Sequence, residues 1–143
     1  MNIDDVKALQ AIRRHAADEA AQRVAQADAE QADAHRALAT FRSDMGKEAR
    51  RAQALGLSRS LALWYRAAAK RLHDLEASLI ERADQAISAR QSLRSAAIEA
   101  ERLDSVSEQL EAKRRAEIAR QAQGDLDELA LRRRSRRSHH RDV

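Results

Sequence analysis

The sequence predicts an all-α protein, an antiparallel two-helix coiled-coil hairpin with a longer C-terminal helix. Three features predict it: 32 alanines and 23 arginines in 143 residues, no proline with only three glycines, and a long 3,4 alternation of apolar residues. Alanine and arginine favour helices, whereas sheets and barrels need glycine and proline turns. One Trp, one Tyr and one Phe also leave little bulk for a globular enzyme core, so we expect no catalytic activity.

The first helix is predicted over about residues 3–55, which is on the order of 80 Å at 1.5 Å per residue. Apolar side chains fill most of its 3,4 positions, as a coiled-coil seam requires. Gly46 lies inside this pattern in register, so the helix is expected to continue through it. The seam positions are Ile3, Val6, Gln10, Arg13, Ala17, Ala20, Val24, Ala27, Gln31, Ala34, Leu38, Phe41, Met45, Glu48, Ala52 and Leu55.

A turn is predicted at residues 56–60, where the alternation stops. Gly56 suits the left-handed position that ends a helix, and Ser58 or Ser60 can cap the next one. The second helix is predicted over about residues 61–134, followed by a flexible basic tail at 135–143. Its seam positions are Leu61, Tyr65, Ala68, Leu72, Leu75, Leu79, Arg82, Ala86, Ala89, Leu93, Ala96, Ala100, Leu103, Ser107 and Leu110.

Folding the chain at the turn into a single rod, residues 1–143, places large side chains of one helix against small ones of the other. Met45 then meets Ala68, and Ala20 meets Leu93. Because the alanine-rich stretches bury little area, we expect four leucines to dominate stability, and Leu75→Ala to cost about 2–4 kcal/mol in a well-buried seam. A hairpin that satisfies its own seam is expected to be monomeric when free. The four leucines are Leu38, Leu72, Leu75 and Leu79.

The two arms are unequal in length. Residue 3 pairs near residue 110, so about 20 residues of the second helix have no intramolecular partner, roughly 30 Å of helix. The apolar stripe shifts phase there and runs through Ile118, Ala122, Leu126 and Leu129. An unpaired amphipathic helix predicts a partner protein.

The positive charge is concentrated at the C-terminus. Residues 129–143 contain six arginines against Asp142, net +5, whereas the whole chain has net +4. Such a tail can contact nucleic-acid phosphates, or it can steer the protein to an acidic partner or an anionic membrane surface. It can also be a solubilising terminus that stabilises the helix end, where Glu128 and Arg132 form an i,i+4 pair. A solubilising terminus and protein steering are favoured over nucleic-acid binding.

No cofactor-binding or metal-binding pattern is present. The chain has no cysteine, no phosphate-binding glycine loop and no dinucleotide fingerprint. Its five histidines never occur as HxxxH, and His139 and His140 adjoin a basic tail that repels cations. The N-terminus lacks a signal-peptide pattern and no apolar run could span a bilayer, so we expect a cytoplasmic protein.

The three aromatic residues are predicted to cluster near the turn. Trp64 and Tyr65 follow it, and Phe41 lies across the hairpin. Adjacent helix residues cannot both face the seam, so an inward Tyr65 would leave Trp64 pointing outward. An exposed Trp is a typical interface anchor, which favours a docking role over a simple clamp on the hairpin end.

The chain resembles the FliJ/YscO family of type III export proteins, the stalk subunits of flagellar and injectisome ATPase complexes. The resemblance covers nearly the whole chain: a basic start, an alanine-rich first helix, a turn at Gly56 with Tyr65 shortly after it, and an ending, residues 126–133, similar to the family's "DE…A.R" pattern. The basic start comprises Lys7, Arg13 and Arg14.

The resemblance implies a stalk in the centre of an export ATPase hexamer, at the inner-membrane base of the apparatus, that also touches the export-gate membrane protein. Some family members bind empty export chaperones. The family's gate-contacting positions fall on Leu38, Phe41, Met45 and Leu72, which join Trp64 and Tyr65 in a predicted gate interface. The predicted ATPase interface is Arg114, Arg115, Ile118, Arg120, Ala122, Leu126, Leu129, Arg132 and Arg133.

Two other function classes stay open from the residues alone. A generic coiled-coil scaffold or dimeric adaptor would pair its overhanging helices with each other, and a basic-tailed nucleic-acid binder would use the arginines. Sedimentation separates the first of these from a self-sufficient monomeric hairpin.

Overall fold

The computed structural model describes residues 1–56 and 58–141, with the side chains of residues 1–56 and 61–141. It contains two helices, α1 (Ile3–Ala54) and α2 (Ser58–Arg141), of 52 and 84 residues. The described residues include no strand. The chain is therefore an all-α antiparallel helical hairpin with a longer C-terminal helix, as the composition and periodicity predict.

The start of α1 is capped by Asn2. The Oδ1 atom of Asn2 accepts a hydrogen bond from the Asp4 N–H at 3.1 Å, while Asp5 Oδ2 accepts one from the Asn2 N–H at 3.3 Å. This reciprocal arrangement satisfies donors that a helix start leaves free. The carboxylates of Asp4 and Asp5 in the first turn also favour the positive end of the helix dipole.

Gly56 ends α1 in the left-handed conformation, with φ of 68°, as predicted. Its N–H donates to the Gln53 carbonyl at 3.2 Å, and the Leu55 N–H donates to Arg51 at 3.1 Å. Gly46 lies within α1, so the prediction that the helix continues through it is confirmed. The proposed capping side chains of Ser58 and Ser60 lie outside the described residues, although the backbone of α2 begins at Ser58.

Gly56→Ala is expected to destabilise the hairpin by about 1–2 kcal/mol, because an L side chain disfavours positive φ even where space is open. Gly124→Ala is the matched control. Gly124 is inside α2 with nothing within 4 Å of an added Cβ, so alanine there should stabilise the helix by up to about 1 kcal/mol. Urea unfolding monitored by circular dichroism measures both. Equal effects of the two substitutions would contradict the assigned turn.

The predicted C-terminal boundary of the second helix is wrong. α2 continues through residues 135–141 to Arg141, so this part of the predicted flexible tail is helical. No glycine or proline follows Gly124, and arginine propagates a helix well. His139, His140 and Arg141 occupy the last turn, where positive charge favours the negative end of the dipole.

Contacts within the structure divide the chain into two compact units. The first comprises residues 1–12 and 99–143, and the second residues 13–98. In the first unit Val6 is fully buried and Ser107 is buried. Gln10 Nε2 donates to Asp104 Oδ1 at 2.8 Å, and Lys7 Nζ lies 3.9 Å from Glu111 Oε1.

The second unit is also an antiparallel helix pair. Its buried side chains are Ala20, Leu38, Ala68 and Ala86. Ion pairs join the two helices, and the later a pair's residue lies in α1, the earlier its partner lies in α2, as an antiparallel arrangement requires. They are Asp28–Arg90 at 2.6 Å, Glu30–Arg82 at 3.0 Å and Arg42–Glu76 at 3.1 Å.

The predicted seam agrees closely with the observed burial. All six residues that are buried in the described part of the chain are seam positions, and in α2 only Tyr65 among the predicted positions is exposed. Three α1 positions are exposed, namely Arg13, Glu48 and Leu55. Leu55 lies beyond the end of α1, and the charged side chains of Arg13 and Glu48 would lose hydration if they were buried, so they stay at the surface.

Candidate docking surfaces

Near the turn, the second unit has a partly apolar groove of about 380 Å³ between α1 and α2. Phe41 and Met45 of α1 and Trp64 and Ala68 of α2 form its apolar part, and all four lie on or beside the predicted seam. The predicted proximity of Met45 and Ala68 is thereby confirmed. The remaining lining residues are Asp44, Glu48, Ala67 and Arg71.

The predicted orientation of the two adjacent aromatic residues is wrong. Trp64 is half-buried and lines the groove, whereas Tyr65 is 43% exposed. Their rings meet edge to face, with centroids 5.2 Å apart and an interplanar angle of 66°. Trp buries more apolar area than Tyr against Phe41 and Met45, and the Tyr hydroxyl stays in water, so the Trp side chain takes the inner place.

The six residues predicted to touch an export gate differ in what they offer a partner. Leu38 is 5% exposed and packs in the seam, so its side chain is not part of a free surface. Phe41, Met45, Trp64 and Leu72 are half-buried, and Tyr65 is exposed. The structure brings Phe41, Met45 and Trp64 together in one groove.

Sequence reasoning missed one apolar residue near this groove. Leu63 is 71% exposed although it is a large aliphatic side chain. The signal was present, because Leu63 falls between the seam positions Leu61 and Tyr65 and so belongs to the outer face of α2. Together with Tyr65 it gives the start of α2 an exposed apolar character.

The second candidate surface is the part of α2 from residue 112 to residue 141, here called the C-terminal extension. Every residue of the extension is exposed, and it is helical throughout. In this unit α1 begins at Ile3, and Lys7 of α1 forms an ion pair with Glu111 of α2 just before the extension begins. α2 therefore continues after α1 has no more residues to pair with it, as the unequal arms predict.

The predicted ATPase-contacting residues do not all share one face of the extension. At 3.6 residues per turn, Ile118, Ala122, Leu126 and Leu129 fall within an arc of about 80°. Arg115 and Arg133 lie inside that arc, and Arg114 and Arg132 lie about 40° outside it. Arg120 falls on the opposite side of the helix, as does Leu131.

Three side chains of this arc are large and apolar, and all are exposed: Ile118 at 57%, Leu126 at 60% and Leu129 at 54%. The predicted i,i+4 pair is confirmed, with Arg132 donating to Glu128 Oε1 at 3.0 Å, and Gln123 donates to Asp127 Oδ1 at 3.1 Å. These pairs support an isolated helix modestly. The arc is thus an ordered, uncovered apolar stripe with positive charge around it.

No protein-family model, curated protein or solved structure matches this chain. Within the described part of the chain, neither helix has a stretch apolar enough to cross a bilayer. Among those same residues, no group of three His, Asp or Glu side chains could hold a metal ion.

Proposed function

We propose that this protein is the non-enzymatic stalk of a type III protein export apparatus. In this proposal it binds the centre of the export ATPase hexamer, promotes its assembly and activity, and couples it to the cytoplasmic domain of the export-gate membrane protein. It acts in the cytoplasm, peripherally at the inner-membrane base of the apparatus. Binding of empty export chaperones belongs to the same proposal.

The observation that carries the proposal is the C-terminal extension. A helix of 30 residues, all exposed, needs a binding partner to cover Ile118, Leu126 and Leu129. A single stalk cannot match the sixfold symmetry of a ring, so its contacts should be a few apolar and charged ones rather than deep pockets. The extension has this composition, because its apolar stripe leads into an arginine-rich end.

Charge defines the surface that the extension would meet. Residues 132–141 contain six arginines and no acidic residue. A complementary ring lining would be apolar opposite Leu126 and acidic opposite Arg133 and Arg136. Exposed charges of this kind speed association and make it sensitive to salt.

The groove near the turn supports the second half of the proposal. Phe41 and Trp64 are two of the three aromatic residues of the chain, Met45 adds a large apolar side chain beside them, and the groove is open to a partner's side chain. Partly buried aromatic anchors carry much of the energy of protein interfaces. We assign the gate contact to this groove and to the exposed Tyr65 beside it.

The proposal is tested by adding the purified chain to the export ATPase encoded in the same organism. We expect ATP hydrolysis to rise and to saturate at one chain per six ATPase subunits. A chain that neither binds nor stimulates the ATPase at low salt contradicts the proposal.

Replacing Phe41 and Trp64 together by Ala is expected to weaken binding to the cytoplasmic domain of the gate by at least about tenfold, because two aromatic anchors are lost. Helicity should change little, since both side chains are only half-buried. Ile12→Ala is the control, because Ile12 is 62% exposed and lies outside the unit that contains the groove. Unchanged gate binding by the double variant would remove the groove from the gate interface.

The exposed stripe of the extension also fits a second class of function, a coiled-coil adaptor. In that case the extensions of two copies pair with each other through Leu126 and Leu129, and no ATPase is involved. Loss of self-association in a Leu126→Gln variant, with no effect on ATP hydrolysis by the ATPase, identifies this function.

A further inference from the structure

The outer face of α2 in the second unit carries a second 3,4 alternation, offset from the seam that faces α1. Six residues follow it at intervals of 4, 3, 4, 3 and 4 positions, and all six are exposed. They are Ile80, Asp84, Ile87, Gln91, Arg94 and Ile98, here called the outer seam. An alternation of 3 and 4 is the spacing of positions a and d in a coiled coil.

The outer seam is distinct from the residues that pack against α1. Leu79, Arg82, Ala86, Ala89 and Leu93 form the inner series, and each is buried or half-buried. The three isoleucines of the outer seam are 63%, 51% and 42% exposed at positions 80, 87 and 98. These large apolar side chains, spaced over 18 residues or about five helical turns, are left in water.

We propose that the outer seam binds a second copy of the same chain, forming an antiparallel two-fold dimer. A two-fold axis at the level of residue 89 places Ile80 opposite Ile98 of the other copy. The same axis places Asp84 opposite Arg94, and Ile87 opposite Gln91. The Ile80–Ile98 layer is then apolar, and the Asp84–Arg94 layer pairs opposite charges. The Ile87–Gln91 layer places an isoleucine beside a neutral amide.

Charge selects both the orientation and the register of this pairing. In a parallel dimer Asp84 would face Asp84 and Arg94 would face Arg94, which places like charges within the interface. Shifting the antiparallel register by one heptad brings Asp84 opposite Glu101 or Ile87, and the Asp84–Arg94 pair is lost. A polar pair at seam positions commonly fixes register and partner number in coiled coils.

The charged residues of the outer seam are available for this role. Neither Asp84 nor Arg94 takes part in a hydrogen bond or ion pair within the described part of the chain. Arg90 and Glu76, which lie near the same face, are already paired with Asp28 and Arg42. A self-complementary patch of this kind is what a two-fold interface requires.

The seam between α1 and α2 by itself predicts a monomer, because the hairpin satisfies it internally. The outer seam instead predicts that two copies associate. Sedimentation velocity on the full chain should show a monomer–dimer equilibrium at micromolar concentration. Asp84→Arg and Arg94→Asp should each weaken the dimer by about tenfold or more, because each places two like-charged pairs in the interface. An equimolar mixture of the two variants should form a heterodimer, since both charge pairs are then restored.

Matched controls separate this dimer from other assemblies. Asp18→Arg makes the same charge change on an exposed residue of α1, the helix that does not carry the outer seam, and should leave the dimer intact. Ile87→Lys should abolish it without loss of helicity. Leu126→Gln should have no effect, because the extension is not part of this interface.

The orientation is measured with a spin label, because the chain has no native cysteine. Ser78 is exposed and is replaced by Cys to carry the label. In the antiparallel dimer the two labels should lie about 33 Å apart along the helix axis, because each is 11 residues from the two-fold axis at 1.5 Å per residue. A parallel pair would bring the two labels level with each other. Three results would each overturn the proposal: a monomeric wild-type chain, failure of the variant mixture to associate, or labels at the same level.

Discussion

Replacing Ile118, Leu126 and Leu129 together by Gln is expected to abolish stimulation of the export ATPase. These side chains form the apolar stripe of the C-terminal extension and are more than half exposed. The free protein should keep its helicity, because glutamine is a good helix former and none of the three side chains is buried. The loss should therefore appear as weaker binding to the ATPase rather than as unfolding.

Leu131→Gln is the matched control for the stripe. Leu131 is 64% exposed, two residues from Leu129, and lies on the opposite side of the helix. We expect the Leu131→Gln variant to stimulate the ATPase as the wild type does. For both proteins the stimulation should fall as the salt concentration rises, because exposed charges are screened beyond about 10 Å at 0.1 M. If the triple variant stimulated fully, the extension would not be the ATPase-binding segment.

Leu38→Ala is expected to reduce the free energy of unfolding by about 2–4 kcal/mol, the largest effect of any leucine truncation in the second unit. Leu38 is 5% exposed, whereas the other buried side chains among the described residues of that unit are alanines. Truncation removes buried methyl groups and leaves a cavity that two long helices close only partly. Urea unfolding of the full chain measures the difference.

Two further leucines calibrate this measurement. Leu63→Ala, at 71% exposure, should change stability by less than about 0.5 kcal/mol. Leu75→Ala should fall between the two, at about 1–2 kcal/mol, because Leu75 is half-buried rather than well buried as the sequence suggested. A Leu75 effect equal to that of Leu38 would contradict the observed burial.

Periodicity was sufficient to predict the helical pair and most of its seam. A spacing of 3 and 4 keeps residues such as Val6, Ala20 and Ala86 on one face whatever the neighbouring side chains are, and these three are buried. The position of the turn followed from Gly56, because few other residues adopt positive φ. The exposed extension followed from the difference in length between the arms.

Neighbouring positions were harder to predict, because adjacent helix residues differ by only 100° in direction and either can turn toward the seam. Trp64 rather than Tyr65 faces the groove, since the choice depends on the size and polarity of the side chains already present across the hairpin. The outer seam is also hard to predict from the sequence, because the inner series of leucines and alanines already forms one apolar face of α2.

The sequence by itself determined that this protein consists of two long helices joined at Gly56. It also determined which side of each helix faces the other, and that α2 is longer than α1. These properties depend on helix propensity and period, which are local. Only the tertiary structure decided how deeply each seam residue is buried, that Leu38 is enclosed while Leu75 is not, and that Ile80, Ile87 and Ile98 stay exposed. Burial depends on which atoms of the other helix come within contact distance, and no local pattern contains that information.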